Sequence, residues 1–354
     1  MMKQRRRPKV FVTREIAADA LAELRRGAQV EVWPYPMPPP YAELRHRIRE
    51  ADGALTMVTD RIDAALIAAS PRLRGVSNLA VGVDNIDLEA ATRAGVAVGH
   101  TPGVLTEATA DLAFALMLAA ARRVALGDRQ VRAGKWKTWG PRVLLGPEVF
   151  GATLGIVGWG AIGRAMARRA AGFQMRILYV TRSSPRRQRE KIDEGAMRVT
   201  MNRLLSESDF VSLHVPLTAA TRHLIGAAEF RRMKRGAILI NTARGGVIDQ
   251  RALADAVKSG HLGGVGLDVT DPEPIRRGDP LLRLDNVVIT PHIGSASYSA
   301  RERMASIAVG NLLAVFDGKK PPLCANPAVR LRSIKGATCL TVGVRRTRSP
   351  TDAR

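Results

Sequence analysis

Two series of short apolar runs, separated by stretches with helical spacing, follow one another along the chain. The first comprises residues 10–13, 30–33, 53–57, 75–79 and 96–98, each too short to be a helix. Between them, residues 17–26 and 41–51 repeat apolar positions along one helical face. Strands alternating with helices predict a mainly parallel sheet. The proline-rich run Pro34-Tyr35-Pro36-Met37-Pro38-Pro39-Pro40 is a loop and not a boundary, because the alternation resumes after it.

The second series follows a long helix predicted over about 106–123. Its strands are predicted at 153–157, 176–180, 209–213, 237–240, 264–267 and 287–289, with a helix over 164–171 after the first. Six strands with intervening helices complete a doubly wound, Rossmann-type dinucleotide-binding domain. A last helix, roughly 297–316, is expected to return to the first domain. The fold class is thus α/β, with two doubly wound parallel-sheet domains. The Rossmann-type domain (101–291) is inserted in a flavodoxin-like substrate domain built from 1–100 and 292–327. A basic tail, 328–354, is expected to be disordered. Two crossings between domains would create a hinge and a cleft.

Net charge is the one compositional feature that complicates this picture. The 354-residue chain carries +23, which raises nucleic-acid binding as a function. Residues 1–9 contribute +5 and residues 330–354 contribute +6, so nearly half of it lies in the ends. A further knot, Arg182, Arg186, Arg187, Arg189 and Lys191, sits beside the expected cofactor site. Solvated basic tails explain this distribution better than a nucleic-acid surface. Cys324 and Cys339 have neither metal-ligand spacing nor the number a disulfide framework needs, so no metal and a cytoplasmic location are expected. The apolar run 112–121 falls well short of the roughly 18 residues of a membrane span. The strand at residue 10 begins too early to leave a removable leader.

The segment Gly155-Ile156-Val157-Gly158-Trp159-Gly160-Ala161-Ile162-Gly163 places GxGxxG between a predicted strand and helix. Gly158 permits a tight turn, Gly160 lets backbone approach a pyrophosphate, Gly163 allows close helix packing, and the helix N-terminus attracts the negative charge. An NAD-selective site carries an acid about 20 residues further on. Here the second strand ends Val180-Thr181-Arg182-Ser183-Ser184, with no acid. Thr181 would not repel a 2′-phosphate and Arg182, with Ser183 and Ser184, can neutralise it. NADP is therefore the expected cofactor, with NAD possible.

In open α/β sheets, ligands bind beyond the carboxyl ends of the strands. His214, Asn241–Arg244, Asp268–Glu273 and His292 all fall there. Arg244 can pair with a substrate carboxylate and polarise the adjacent carbonyl. His292 is the natural general acid, because imidazole titrates near neutral pH, and Glu273 can orient that ring and stabilise its charged form. This combination points to hydride transfer on a 2-oxo or 2-hydroxy acid.

From about Lys9 to Pro327 the chain resembles the D-isomer-specific 2-hydroxyacid dehydrogenases, nearest the glyoxylate/hydroxypyruvate reductase branch. The resemblance is carried by Ser77-Asn78-Leu79-Ala80-Val81-Gly82-Val83-Asp84-Asn85-Ile86-Asp87, Thr101-Pro102-Gly103-Val104-Leu105-Thr106-Glu107-Ala108-Thr109-Ala110-Asp111 and the glycine turn. It is carried further by His214-Val215-Pro216-Leu217-Thr218, Asn241-Thr242-Ala243-Arg244-Gly245-Gly246, Asp268-Val269-Thr270-Asp271-Pro272-Glu273-Pro274 and Pro291-His292-Ile293-Gly294. It implies Arg244, Glu273 and His292 as catalytic residues. The backbone of Val81 and Gly82 is expected to hold the substrate carboxylate, with Arg244 and His292 also touching substrate. Thr106, Ala161, Ile162, His214, Val215, Pro216, Thr221, Thr242, Ala243, Arg244, Asp268, His292 and Gly294 are expected to line the cofactor, Asp268 near the nicotinamide amide. Trp139, in Trp136-Lys137-Thr138-Trp139-Gly140-Pro141, resembles a residue that reaches into a partner's substrate pocket, which implies a homodimer.

The implied reaction is NAD(P)H-dependent reduction of glyoxylate or hydroxypyruvate, with domain closure excluding water. Phosphoglycerate, phosphite or other D-2-hydroxyacid dehydrogenases, and a dinucleotide-sensing corepressor-like protein, share the same three residues. Phosphoglycerate dehydrogenases usually prefer NAD and often add a regulatory domain, neither of which this chain suggests. Two departures from the branch stand out: Trp159, which is expected to crowd the adenine side, and the tail beyond about Ala328.

Overall fold

A computed structural model describes residues 6–182 and 195–332, and these fall into two compact units. Ser183, Ser184, Arg186, Arg187, Arg189, Lys191, Cys339 and the tail from residue 333 lie outside the described residues.

The first unit runs through Thr101 and resumes at Glu302. Its sheet comprises β1 (Lys9–Val12), β2 (Gln29–Val32), β3 (Gly53–Thr56), β4 (Gly75–Asn78) and β5 (Ala97–Gly99), all parallel in the order β2-β1-β3-β4-β5. That is the flavodoxin-like order. The crossovers are α1 (Ala18–Gly27), α2 (Tyr41–Arg49), α3 (Ala64–Ala68) and α4 (Leu88–Arg93). Asp63 and Asp87 start the last two, accepting the N–H of Leu66 at 2.9 Å and of Ala90 at 2.8 Å.

The closing helix α11 (Tyr298–Phe316) packs on this sheet through Leu312, Leu313, Val315 and Phe316. Gly53 and Gly75 supply the clearance, since a Cβ there would meet Phe316 and Val315. Residues 328–332 belong to the same packing. Val329 is buried with Ala97 and Val315, and Arg332 donates to the Ala94 carbonyl at 3.0 Å.

The second unit spans Pro102–Arg301. It opens with α5 (Thr106–Ala121) and α6 (Val124–Arg132), then runs β6 (Thr153–Val157), α7 (Ala161–Ala171), β7 (Arg176–Val180), β8 (Ala196–Arg198), α8 (Met201–Glu207) and β9 (Phe210–Leu213). There follow α9 (Ala227–Arg232), β10 (Ile238–Asn241), α10 (Gln250–Lys258), β11 (Gly264–Leu267) and β12 (Val287–Ile289). All seven strands are parallel, in the order β12-β11-β10-β9-β6-β7-β8. Connections reverse direction between β6 and β9, the switch point where such sheets bind ligands. One apolar layer gathers Leu213, Phe230, Leu239 and Leu253, and the other gathers Met117, Ile156, Phe210 and Ile240. Phe210 and Phe230 are essentially inaccessible, and burial of each contributes roughly 1.5–3 kcal/mol.

Several details differ from the sequence reading. The long helix ends at Ala121 because Arg123 adopts a left-handed φ of 52°, and α6 starts anew beyond it. The sheet has a seventh strand, β8, a three-residue edge strand too short to stand out as a run in the sequence. The return to the first unit falls at Arg301/Glu302, inside α11, and not at residue 292. The segment after β12 stays with the second unit because it is fastened there by Asp268, as described below. Helix α5 lies against α7 on one side and β10, β11 and β12 on the other, which accounts for its nearly continuous apolar sequence. Among the described residues no helix is long and apolar enough to cross a membrane.

Candidate active site

The carboxyl ends of β10, β11 and β12 supply three loops in sequence. Asn241, fully buried at the end of β10, shapes the first: its Oδ1 accepts the Ala243 N–H at 2.9 Å and its Nδ2 donates to the Arg244 carbonyl at 2.9 Å. Arg244 is thereby held in extended backbone, half-buried, with Nη1 donating to the Ala243 carbonyl. The next residue must be glycine, because a Cβ at Gly245 would collide with the Thr270 carbonyl. The first loop is therefore pressed against the second.

Asp268 follows β11 directly at 2% exposure, and its carboxylate is the organising group. Its Oδ1 accepts from Thr290 Oγ1 at 2.6 Å and from the Ile293 N–H at 2.8 Å, while Oδ2 accepts the Gly294 N–H at 2.7 Å. The Asp268 carbonyl accepts the His292 N–H at 2.9 Å. These bonds hold His292 at φ 55°, a conformation that costs a non-glycine residue roughly 1–2 kcal/mol. The imidazole Nδ1 then meets Glu273 Oε1 at 2.5 Å. Nδ1 carries the proton in that bond when the carboxylate is ionised, so Nε2 is the nitrogen left to exchange a proton with a ligand. Among the described residues Nε2 has no hydrogen-bond partner.

The glycine turn has the expected form. Gly158 has φ 102°, and a Cβ there would strike the His214 carbonyl; at Gly163 it would strike the Gly158 carbonyl. Gly160 instead faces open space at the N-terminus of α7, where Ala161 and Ile162 begin the helix. Trp159 turns inward, 4% exposed and stacked on Tyr179 at 4.0 Å, so it does not crowd the adenine side; the β6–α7 core takes the ring. Thr181 and Arg182 follow β7, half-buried and exposed. Ser183 is outside the described residues.

His214 follows β9, and Ser212 Oγ lies 2.8 Å from its Nε2. His214 is half-buried as a residue, and desolvation of its ring by the surrounding protein pushes its pKa down to about 4, so the ring is neutral near pH 7. Val215 and Pro216 lead into a loop closed by Thr221, whose hydroxyl donates to the Pro216 carbonyl at 2.6 Å. Thr242 Oγ1 is buried without a hydrogen-bond partner among the described residues. Open space at Gly160, first-turn amides on α7 and an orphaned hydroxyl at Thr242 together fit a dinucleotide. Thr106 stands at the start of α5.

Val81 and Gly82 belong to the first unit. The Gly82 carbonyl accepts from Asn78 Nδ2 at 3.0 Å and the Val81 carbonyl lies 2.9 Å from His100 Nδ1. Their N–H groups donate to no described residue, as a carboxylate-binding turn requires. Trp139 lies between α6 and β6 at 79% exposure, with no ring contact among the described residues. The sequence reading placed Asp268 at the cofactor but missed its hold on the His292 loop. It also missed the parts played by Asn241 and Ser212, whose one signal is a polar residue at an apolar strand's end.

The profile of the D-isomer specific 2-hydroxyacid dehydrogenase NAD binding domain matches residues 114–294, just over half the chain. The chain belongs to this family. Among curated members, the glyoxylate reductase of Korarchaeum cryptofilum is 51% identical over 91% of this chain and 97% of its own. That of Thermococcus litoralis is 48% identical over 91% and 98%. A solved Thermus thermophilus protein superposes with a TM-score of 0.84 at 50% identity, covering 90% of this chain and 99% of its own. An NADPH-dependent glyoxylate/hydroxypyruvate reductase of Sinorhizobium meliloti, solved with NADP and malonate, gives 0.81 at 31% identity, covering 93% and 100%. A nicotinamide dinucleotide is the family's cofactor class, and the fold and turn described above are those of its binding domain.

The depressed pKa of His214 has a consequence for stability. Between its folded value of about 4 and the ordinary value near 6.5, the unfolded state binds the proton more tightly. The contribution is therefore complete above about pH 6.5 and is lost as pH falls toward 4. Urea unfolding at pH 7 and pH 4.5 should show His214→Gln losing up to about 2 kcal/mol less than the parent chain on acidification. Equal losses in both would exclude His214 as the source.

Proposed function

We propose that the protein reduces a short 2-oxo acid, glyoxylate or hydroxypyruvate, to its 2-hydroxy acid, with NADPH preferred over NADH. The observation that carries this reading is the His292–Glu273 hydrogen bond at 2.5 Å on a loop built by Asp268. It leaves one imidazole nitrogen for a ligand, beside an Arg244 loop packed on the same segment. When bound, a reduced nicotinamide supplies a hydride to the substrate's carbonyl carbon. Arg244 pairs with the substrate carboxylate and polarises the carbonyl. His292 Nε2 delivers a proton to the carbonyl oxygen, and Glu273 stabilises the ring while it carries charge. The backbone of Val81 and Gly82 is the proposed carboxylate-binding turn of the first unit. The same Arg, Glu and His would serve other 2-hydroxy acids. The names of the relatives at about 50% identity favour glyoxylate.

The NADPH preference is supported by the missing acid after β7 and by Arg182 in its place. Turnover of glyoxylate by the purified chain should be clearly more efficient with NADPH than with NADH. His292→Asn should lower kcat by about 100-fold or more with little change in cofactor binding. Near-normal kcat in the variant would remove the proton-donor role, and a wild type favouring NADH would remove the cofactor preference.

A homodimer is proposed on a separate observation. Val124, Val131, Trp136, Trp139, Leu145 and Phe150 are all more than half exposed along α6 and the segment after it. Exposed apolar side chains gathered in one segment suit burial against a second copy. Light scattering should give the mass of two chains; the mass of one would dismiss the dimer.

A further inference from the structure

We propose that Arg198, on the edge strand β8, is a specificity-determining residue for the dinucleotide and pairs with the 2′-phosphate of NADPH beside Arg182. This rests on the NADPH reading above. Strand β8 pairs in parallel with β7, with Tyr179 opposite Arg198, so the two strands end side by side. The turn at Thr181 and Arg182 leaves from that end of β7. The Arg198 guanidinium reaches it directly, with Nη2 donating to the Thr181 carbonyl at 3.1 Å. A second guanidinium thus stands where an NAD-selective site holds the acid that binds the ribose hydroxyls.

The charge of Arg198 is also uncompensated among the described residues. Arg176 and Arg203, the nearest basic side chains along the sequence on either side within the described residues that form ion pairs, both bond Glu207 at 2.6 Å. On α7, Arg168 and Arg169 are paired with Glu107 and Asp111. Arg198 is exposed and forms no ion pair among the described residues; its hydrogen bond is to a neutral carbonyl. The remaining donors of its planar fork are available to an anion. A phosphate dianion there gains charge-assisted bonds, whereas a bare ribose hydroxyl gains almost nothing. The residue therefore acts on the choice between the two cofactors and not on dinucleotide binding in general. An alternative duty for a charged residue on an edge strand is to deter strand pairing between molecules, and that duty would not distinguish the cofactors.

The experiment compares the full-length wild type, Arg198→Leu and Arg198→Lys. Binding of 2′,5′-ADP and of 5′-AMP is read by calorimetry, and KM for NADPH and NADH by steady-state assay. In Arg198→Leu the Kd for 2′,5′-ADP and the KM for NADPH should rise about tenfold, the scale of a lost charge-assisted bond, with 5′-AMP and NADH values nearly unchanged. Arg198→Lys should restore part of the loss. If the wild type prefers 2′,5′-ADP and Arg198→Leu keeps that preference, the assignment of Arg198 is overturned and the NADPH reading stands. An equal loss for both ligands overturns the assignment as well. A wild type that binds both nucleotides equally overturns the NADPH reading and this inference with it.

Discussion

The Asp268 carboxylate fixes the geometry on which the rest of the site depends. A buried carboxylate is tolerated only where several donors satisfy it, and here these are a threonine hydroxyl and the N–H groups of Ile293 and Gly294. The benefit is directional. Two consecutive amides pulled toward one carboxylate force the residue before them, His292, into a left-handed conformation. Its ring is thereby presented to Glu273. Either carboxylate alone would leave the imidazole unfixed, in backbone for one case and in ring orientation for the other.

The parallel sheet brings these parts together. Strands β10, β11 and β12 are neighbours that end in register, so each supplies one loop at the same edge. Contact between loops is then a matter of size, and Gly245 yields the space that the Thr270 carbonyl occupies. On the other side of the switch point, the same topology puts the glycine turn after β6 and the Thr181–Arg182 turn after β7. The proposed chemistry and the proposed cofactor selection are thus separated on one scaffold, with His292 and Glu273 on one side of the switch point and Thr181, Arg182 and Arg198 on the other.

Much of this was legible in the sequence because buried parallel strands are short apolar runs and the glycine turn has fixed spacing. Both sheets and the turn follow from those signals. What escaped is instructive. Strand β8 is only three residues long and lies at the sheet edge, so Arg198 went unnoticed beside Thr181. The break after Ala121 depends on one left-handed residue, Arg123, within a pattern that otherwise continues. Trp159 looks intrusive in a turn of small residues, yet three-dimensional packing gives it Tyr179 as a stacking partner. Asp268 reads as one more polar residue at a strand end. Its hold on residues 290–294 is a long-range bond that no local pattern encodes.

The dependence of His292 on Asp268 can be measured directly by a double-mutant cycle on the rate of hydride transfer in a single turnover at saturating NADPH. If Asp268 acts by holding His292, Asp268→Asn should slow transfer markedly in the wild-type background and hardly at all once His292→Asn is present. Strong non-additivity of that kind is the expected result. Independent, additive losses from the two substitutions would contradict it.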